Sequence, residues 1–323
     1  MTCLVTGGAG FIGSHTVDAL LRRGERVICL DNFTPYYDPE RKRRNLTWAA
    51  TQPGFVLVEA DLRDAEALAG VFERYRPRGV VHLAALPGPR PSIANPALYE
   101  QVNVGGTVHL LELARRYDVE RVVLASTSSV YGRAGKVPFE ESDPTDRPLS
   151  PYAATKKAAE VLGYTFHSLY GTPMSVVRFF TVYGPRGRPD MTPYVFVDRM
   201  AREQPIVLFE RGVKLYRDYT YIDDIVAGVL AALDRAQGYE IFNLGNSSPV
   251  ELQRFVALLE QITGMRAVIE AQPLPPTEPP ITYASTEKAR RLLGFRAGTR
   301  VEDGLARFWE WYRLEVLPSV RRS

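Results

Sequence analysis

The sequence predicts an α/β protein, a doubly wound parallel sheet with a smaller C-terminal α/β lobe. Three observations predict it. Short apolar runs alternate with amphipathic stretches from Thr2 to about residue 180, the pattern of parallel strands covered by helices on both faces. The first run, Thr2–Thr6, passes into a glycine-rich turn, Gly7-Gly-Ala-Gly-Phe-Ile-Gly13, and then into helical residues Ser14–Arg23. The second run, Arg26–Leu30, ends in Asp31, 18 residues after Gly13.

Strand, glycine turn and helix in that order are the context of a Rossmann dinucleotide site. Gly7, Gly10 and Gly13 permit positive φ and let backbone N–H groups reach a pyrophosphate, with Phe11 and Ile12 opening the helix. Asp31, followed by Asn32, is placed for the adenosine ribose; an acid there repels a 2′-phosphate, so NAD is expected rather than NADP. Arg41-Lys-Arg-Arg44 reads as the solvated start of a helix. Phe55–Glu59 is a third strand, with Asp61 and Leu62 at its end to bracket an adenine. Arg63–Tyr75 is an amphipathic helix. Val80–Ala85 is a fourth strand, where Leu83, Ala84 and Ala85 let a cofactor lie against the strand end; His82 within it reads as a core histidine. Pro87–Pro91 is a rigid loop whose one cation, Arg90, faces either an anionic substrate or solvent. Ala97–Tyr117 is a long helix, and its Asn103 counts among the cofactor contacts.

Arg121–Ala125 is a fifth strand and ends in Ser126-Thr-Ser-Ser129. These hydroxyls either bind a substrate oxygen or only cap and turn the chain. Ser150 is a helix N-cap and Pro151 suits the first turn. Tyr152 and Lys156 then share one helix face. Bringing a phenol from its usual pKa near 10 to neutrality takes about three units, roughly 4 kcal/mol. Nearby positive charge supplies it, from Lys156 and from an oxidised nicotinamide. The spacing alone is also that of ordinary surface residues. Ser175–Phe179 is the next strand, and Phe179 and Ser126 complete the cofactor wall.

Composition excludes several classes. The net charge is +3 with no basic stripe for nucleic acid. The two cysteines, Cys3 and Cys29, sit in apolar runs and read as buried thiols. Four scattered histidines offer no metal-ligand spacing. No apolar run reaches about 18 residues, and a strand opens at Thr2 with no signal peptide ahead of it, so a cytoplasmic enzyme is expected.

Beyond Tyr183, Arg188 and Arg217 are candidate diphosphate contacts, because a guanidinium suits phosphate; surface ion pairing is open to both. Pro205–Phe209 reads as an edge strand whose Val207 and Phe209 back a uracil. Residues 1–182 with 221–248 are expected to bind NAD, and 183–220 with 249–323 the substrate. Helices are expected at Tyr221–Leu233, Pro249–Thr263, Ser285–Leu293 and Val301–Tyr312, with Trp309 and Trp311 as packing residues. Gln272–Pro280 is a proline-rich connector over the nucleotide.

From Thr2 to Tyr312 the chain resembles extended short-chain dehydrogenase/reductases, and among them the UDP-glucuronic acid 4-epimerases. The segments that carry this are the glycine turn, Tyr36-Tyr-Asp-Pro39, Arg90-Pro-Ser92, Ser128-Ser-Val-Tyr-Gly132, Tyr152-Ala-Ala-Thr-Lys-Lys157, Arg178–Pro185, Gly187–Met191 and Arg217–Asp224. The resemblance implies an isomerase: Tyr152 as base, Thr127 relaying the proton with Ser128 beside it, and Lys156 on the ribose. It implies transient oxidation of a UDP-sugar at C4, with NAD regenerated. Related 4,6-dehydratases carry acids at positions 128 and 129, and related decarboxylases a Glu at 129; here both are serine. Thr127, Ser128 and Thr181 are then neutral donors for a sugar carboxylate, and Ser129 belongs with them to the substrate site. The departures are Pro87 and Pro89 beside Arg90, Arg186 in place of Trp, and Thr277-Glu-Pro279, whose Glu278 accepts from a ribose. Rival readings are a neutral UDP-sugar epimerase, a UDP-glucuronate decarboxylase, and a non-enzymatic NAD-binding regulator. A homodimer is expected through a four-helix bundle of helices 97–117 and 151–171, using Leu113, Leu162 and Leu169.

Overall fold

A computed structural model describes residues 1–133, 135–275 and 279–320. Six strands come first: β1 Thr2–Thr6, β2 Arg26–Asp31, β3 Phe55–Glu59, β4 Gly79–His82, β5 Arg121–Thr127 and β6 Met174–Phe179. Short strands follow at β7 Thr181–Tyr183, β8 Ile206–Phe209, β9 Tyr216–Arg217 and β10 Tyr219–Tyr221, then β11 Tyr239–Leu244. The main sheet has the order β11-β6-β5-β4-β1-β2-β3 and is parallel throughout. Its direction of growth reverses between β1 and β4, so the ends of those two strands splay apart. Ligands of such sheets bind in the crevice at that switch point.

The helices are α1 Phe11–Arg22, α2 Pro39–Asn45, α3 Ala65–Tyr75, α4 Pro89–Ala94, α5 Pro96–Glu100, α6 Gly106–Arg116 and α7 Pro151–Tyr170, then α8 Thr192–Ala201, α9 Ile222–Asp234, α10 Leu252–Thr263, α11 Glu287–Leu293 and α12 Val301–Glu315. Two expectations need correction. The loop at 87–91 is half helix: Pro89 occupies the first turn of α4, where its missing N–H costs nothing. The helix expected over 97–117 is interrupted by a π-helical turn at Gln101–Gly105. The α7 prediction holds closely: Ser150 Oγ accepts from Ala153 N at 3.2 Å, and Gly171 ends the helix at φ 73°.

Core residues behave as their sequence context requires. Cys3 and Cys29 are buried free thiols, and burial pushes Cys3 up to about 12. His82 is a core histidine, bonded to the hydroxyls of Thr6 (2.7 Å) and Thr107 (3.0 Å), and burial pulls it down to about 3. Trp309 and Trp311 pack against the main core. Leu113, named for a dimer face, is instead buried in its own core beneath α6, whereas Leu169 is 66% exposed. Leu162 is partly buried against that same core. Among the described residues no helix is long and apolar enough to cross a membrane, and no cluster could hold a metal.

Candidate active site

A cleft with about 1340 Å³ of open space runs along the switch point. Gly7, Gly10, Phe11, Ile12 and Gly13 form its floor, and Leu83, Ala84 and Ala85 one wall. The glycines are required here. Gly7 sits at φ 67°, and a Cβ on it would lie 2.8 Å from Ala84 N. A Cβ on Gly13 would collide with the Gly7 carbonyl oxygen. The turn therefore brings the first N–H groups of α1, which have no partner within the helix, to the cleft, which fits a pyrophosphate. Asp31 lines the same cleft and is oriented by Ala9 N (3.1 Å) and Phe33 N (2.9 Å), as a ribose acceptor should be. These features fit NAD. Gly13→Ala should lower NAD content at fixed free NAD by at least about tenfold, or ~1.4 kcal/mol; unchanged content by absorbance would reject the cradle.

Other residues expected at the cofactor lie along the same cleft. Asn32, Asp61, Leu62, Ser126, Tyr152, Lys156 and Phe179 also line the cleft. Asp61 shares its oxygens with Arg63 and Asn32, and the Arg63 hydrogen bond holds it below the usual carboxylate range. Asn103 is a correction. Its amide bonds Leu86 N and O and Thr155 Oγ1, so no donor is turned toward the cleft; it fixes the loop after β4. Lys42 is another. The basic cluster occupies the last turn of α2, not its start, and Lys42 is buried against Asp31 at 3.7 Å, lining the cleft. Burial lowers its pKa against the pull of Asp31.

At the inner end, Tyr152 and Lys156 face the cleft together from α7. Lys156 is 4% exposed, and burial brings it down to about 8, with Glu160 opposing. Burial likewise holds the Tyr152 phenol above its ordinary value, while a hydrogen bond with Thr127 and the charge of Arg188 pull it down. Arg188 is a cation beside the phenol that the sequence reading did not place there, and the Asp190 charge opposes it. Bound oxidised nicotinamide adds charge of the sign that favours phenolate.

A second cavity, with about 840 Å³ of open space, is lined by Arg90, Ser128, Ser129, Thr181 and Arg217. The hydroxyl cluster caps its own turn and also borders this cavity. Thr127 Oγ1 caps the turn by accepting from Ser129 N at 3.2 Å, and Ser128 and Ser129 face the cavity. Arg217 bonds the carbonyls of Tyr216 (2.9 Å) and Pro280 (3.2 Å). Arg188 is not with it: a two-pronged bond to Asp190 carries it into the first cleft, beside Tyr152 and Pro87. Val207 and Phe209 lie on the β8 ribbon outside both linings; Phe209 reaches the second cavity through Arg90, 5.4 Å from its ring centroid. Glu278 lies outside the described residues.

Sequence reasoning assigned no role to Lys42, Tyr36 or Asp190. The last two stood inside quoted motifs, but nothing local shows that they meet.

The family model of NAD dependent epimerase/dehydratase proteins matches residues 3–245. The chain belongs to that family. This epimerase-family chain is 42% identical over 322 residues to a UDP-glucuronate 4-epimerase of Thermodesulfobacterium geofontis, covering 98% of each. It superposes with a TM-score of 0.90, at 33% identity and over 97% of its length, on the UDP-glucuronic acid 4-epimerase of Bacillus cereus, solved with UDP-glucuronic acid and NAD; 99% of that chain is covered. A UDP-glucose 4-epimerase of Thermotoga maritima, solved with UDP-glucose, gives 0.89 at 33% identity over 97% and 99% of the two chains.

Proposed function

We propose that this protein is an NAD-dependent UDP-glucuronate 4-epimerase that forms UDP-galacturonate through a transient 4-keto sugar. The observation that carries it is the pairing of the two cavities. The Tyr152 phenol stands on the dinucleotide cleft, and the second cavity offers Ser128, Ser129 and Thr181 with two arginines and no carboxylic acid among its described lining. Tyr152 takes the proton of the sugar 4-hydroxyl, and the Thr127 hydroxyl serves as the relay. Lys156 holds the ribose. NAD held along Gly7, Gly10, Gly13 and Asp31 would supply the hydride acceptor and donor for the two halves of the reaction. The 4-keto form of glucuronate is a β-keto acid and loses carbon dioxide when its C–C bond overlaps the ketone π-system. Neutral donors at positions 127, 128 and 181 hold the carboxylate out of that alignment.

Arg90 and Arg217 suit the diphosphate common to both substrates, and the 42% identity with a UDP-glucuronate 4-epimerase favours the acid sugar over the neutral substrate of the rival reading. Glutamate is missing at position 129, which disfavours the decarboxylase. Purified protein incubated with UDP-glucuronate should give UDP-galacturonate by NMR with little pentose. Turnover confined to UDP-glucose, or carbon dioxide release with pentose as the main product, would each overturn the proposal.

The same reading assigns residues 1–182 and 221–248 to NAD and 183–220 and 249–323 to the UDP-sugar; the return of β11 to the main sheet supports the split. It places the enzyme in the cytoplasm as a homodimer. Val161, Tyr164 and Leu169 on α7, at 52%, 57% and 66% exposure, support the bundle face, with Leu113 removed from it.

A further inference from the structure

Tyr36 and Arg188 line the same cleft from opposite walls. Tyr36 follows β2 in the dinucleotide half, and Arg188 lies in the turn between β7 and α8. They meet on one carboxylate. Arg188 Nε donates to Asp190 Oδ1 at 2.9 Å and Nη2 to Oδ2 at 3.0 Å. Tyr36 Oη donates to the same Oδ2 at 3.2 Å. Met191 Sδ lies 3.4 Å from Arg188 Nη2. A third segment fixes the phenol: a Cβ on Gly88, which sits at φ 94°, would come within 2.9 Å of Tyr36 Oη.

We infer that Asp190 is a positioning residue which, with Tyr36, clasps the two walls of the cleft, aims the Arg188 guanidinium at the Tyr152 end, and slows release of the bound dinucleotide. This rests on reading the cleft as an NAD site. A two-pronged bond leaves a guanidinium no freedom to rotate, so its remaining N–H groups keep one direction. The clasp is also electrostatically consistent. Burial and the Asp190 charge keep the Tyr36 phenol protonated, hence a donor. Burial alone would raise Asp190, but the Arg188 hydrogen bond and charge outweigh it and hold the carboxyl below its usual range. The arrangement is not core packing, since the Asp190 side chain is 37% exposed. An enzyme that reuses one NAD through every cycle gains from such a clasp, because lost cofactor ends turnover.

The test is exchange of bound NAD against excess isotopically labelled NAD, read by mass spectrometry on the intact holoenzyme. Tyr36→Phe removes one hydrogen bond across the cleft and should speed exchange about threefold to tenfold. Asp190→Asn loosens both partners; it should speed exchange about tenfold or more and raise KM more than it lowers kcat. Asp190→Glu should restore most of both. Unchanged exchange in Tyr36→Phe and Asp190→Asn overturns the inference. So does faster exchange in Asp190→Asn that Asp190→Glu fails to reverse, the mark of a merely structural change. Exchange is read without turnover, so failure to epimerise UDP-glucuronate leaves the clasp standing on its own result. Protein that neither carries nor takes up NAD overturns the cofactor reading and the clasp together.

Discussion

Tyr152→Phe should lower kcat by about 10²–10⁴-fold, the range for a positioned acid–base group, while NAD stays bound. On the proposed reading the phenol moves the proton at C4, and it lines the cleft together with Lys156. Phenylalanine keeps the ring, and with it the edge-to-face contact with Tyr99 at 6.4 Å. Cofactor content and fold should therefore persist. The pH dependence has a definite sign. Proton removal needs phenolate, so turnover falls as pH drops below the phenol's pKa in the NAD complex. In the protein alone, burial raises that pKa, and the charge of Arg188 opposes the rise. Removing the cation in Arg188→Gln should therefore move the acidic limb of the kcat profile to higher pH. A Tyr152→Phe enzyme with near wild-type kcat would refute the assignment. An acidic limb that stays put in Arg188→Gln would refute the tuning.

The parts of this site legible in sequence are those fixed by backbone geometry over short distances. Gly7 to Gly13 can be read because a turn at the head of α1 tolerates nothing larger. Tyr152 and Lys156 can be read because one helical turn puts them on one face. Asp31 can be read from its distance past the glycines. What could not be read is where a long side chain turns once folded. Arg188 pairs with Asp190, and Lys42 folds inward onto Asp31 because a buried carboxylate is there to receive it. Asn103 answers the loop after β4 instead of the cofactor. The Tyr36–Asp190 bond joins residues 154 positions apart, and no local pattern encodes such a meeting. The proline loop at 87–91 misled for a different reason: proline breaks a helix interior but is at ease in a first turn.

Arg178→Met should be the most destabilising single change, by about 3–5 kcal/mol at neutral pH. Arg178 is 1% exposed on β6, and Glu160, 1% exposed, descends on it from α7. Two bonds join them, Nε to Oε1 at 2.8 Å and Nη2 to Oε2 at 2.7 Å. Ser126 Oγ adds a third to Glu160 at 2.6 Å, and Nη1 reaches the Tyr131 hydroxyl at 3.0 Å. The pair clamps α7 to the sheet one turn beyond Lys156. Without Arg178 the buried carboxylate loses its two-pronged partner and keeps Lys157, at 3.3 Å, the charge of Lys156 and the Ser126 hydroxyl. The sign of the pH effect follows. Burial alone would raise Glu160, but Arg178 holds it below its usual range, so the native pair contributes stability above the unfolded pKa and loses it as pH falls through the folded one. In the variant burial wins, the carboxyl moves up, and protonation relieves the cost. The difference in urea midpoint between wild type and variant should thus be largest near neutral pH and shrink on acidification. Adding Glu160→Leu to Arg178→Met should recover much of the loss, because an apolar pair can replace a buried ion pair of similar volume. A midpoint difference that is small at neutral pH, or that grows on acidification, would show that the clamp is not what anchors the catalytic helix.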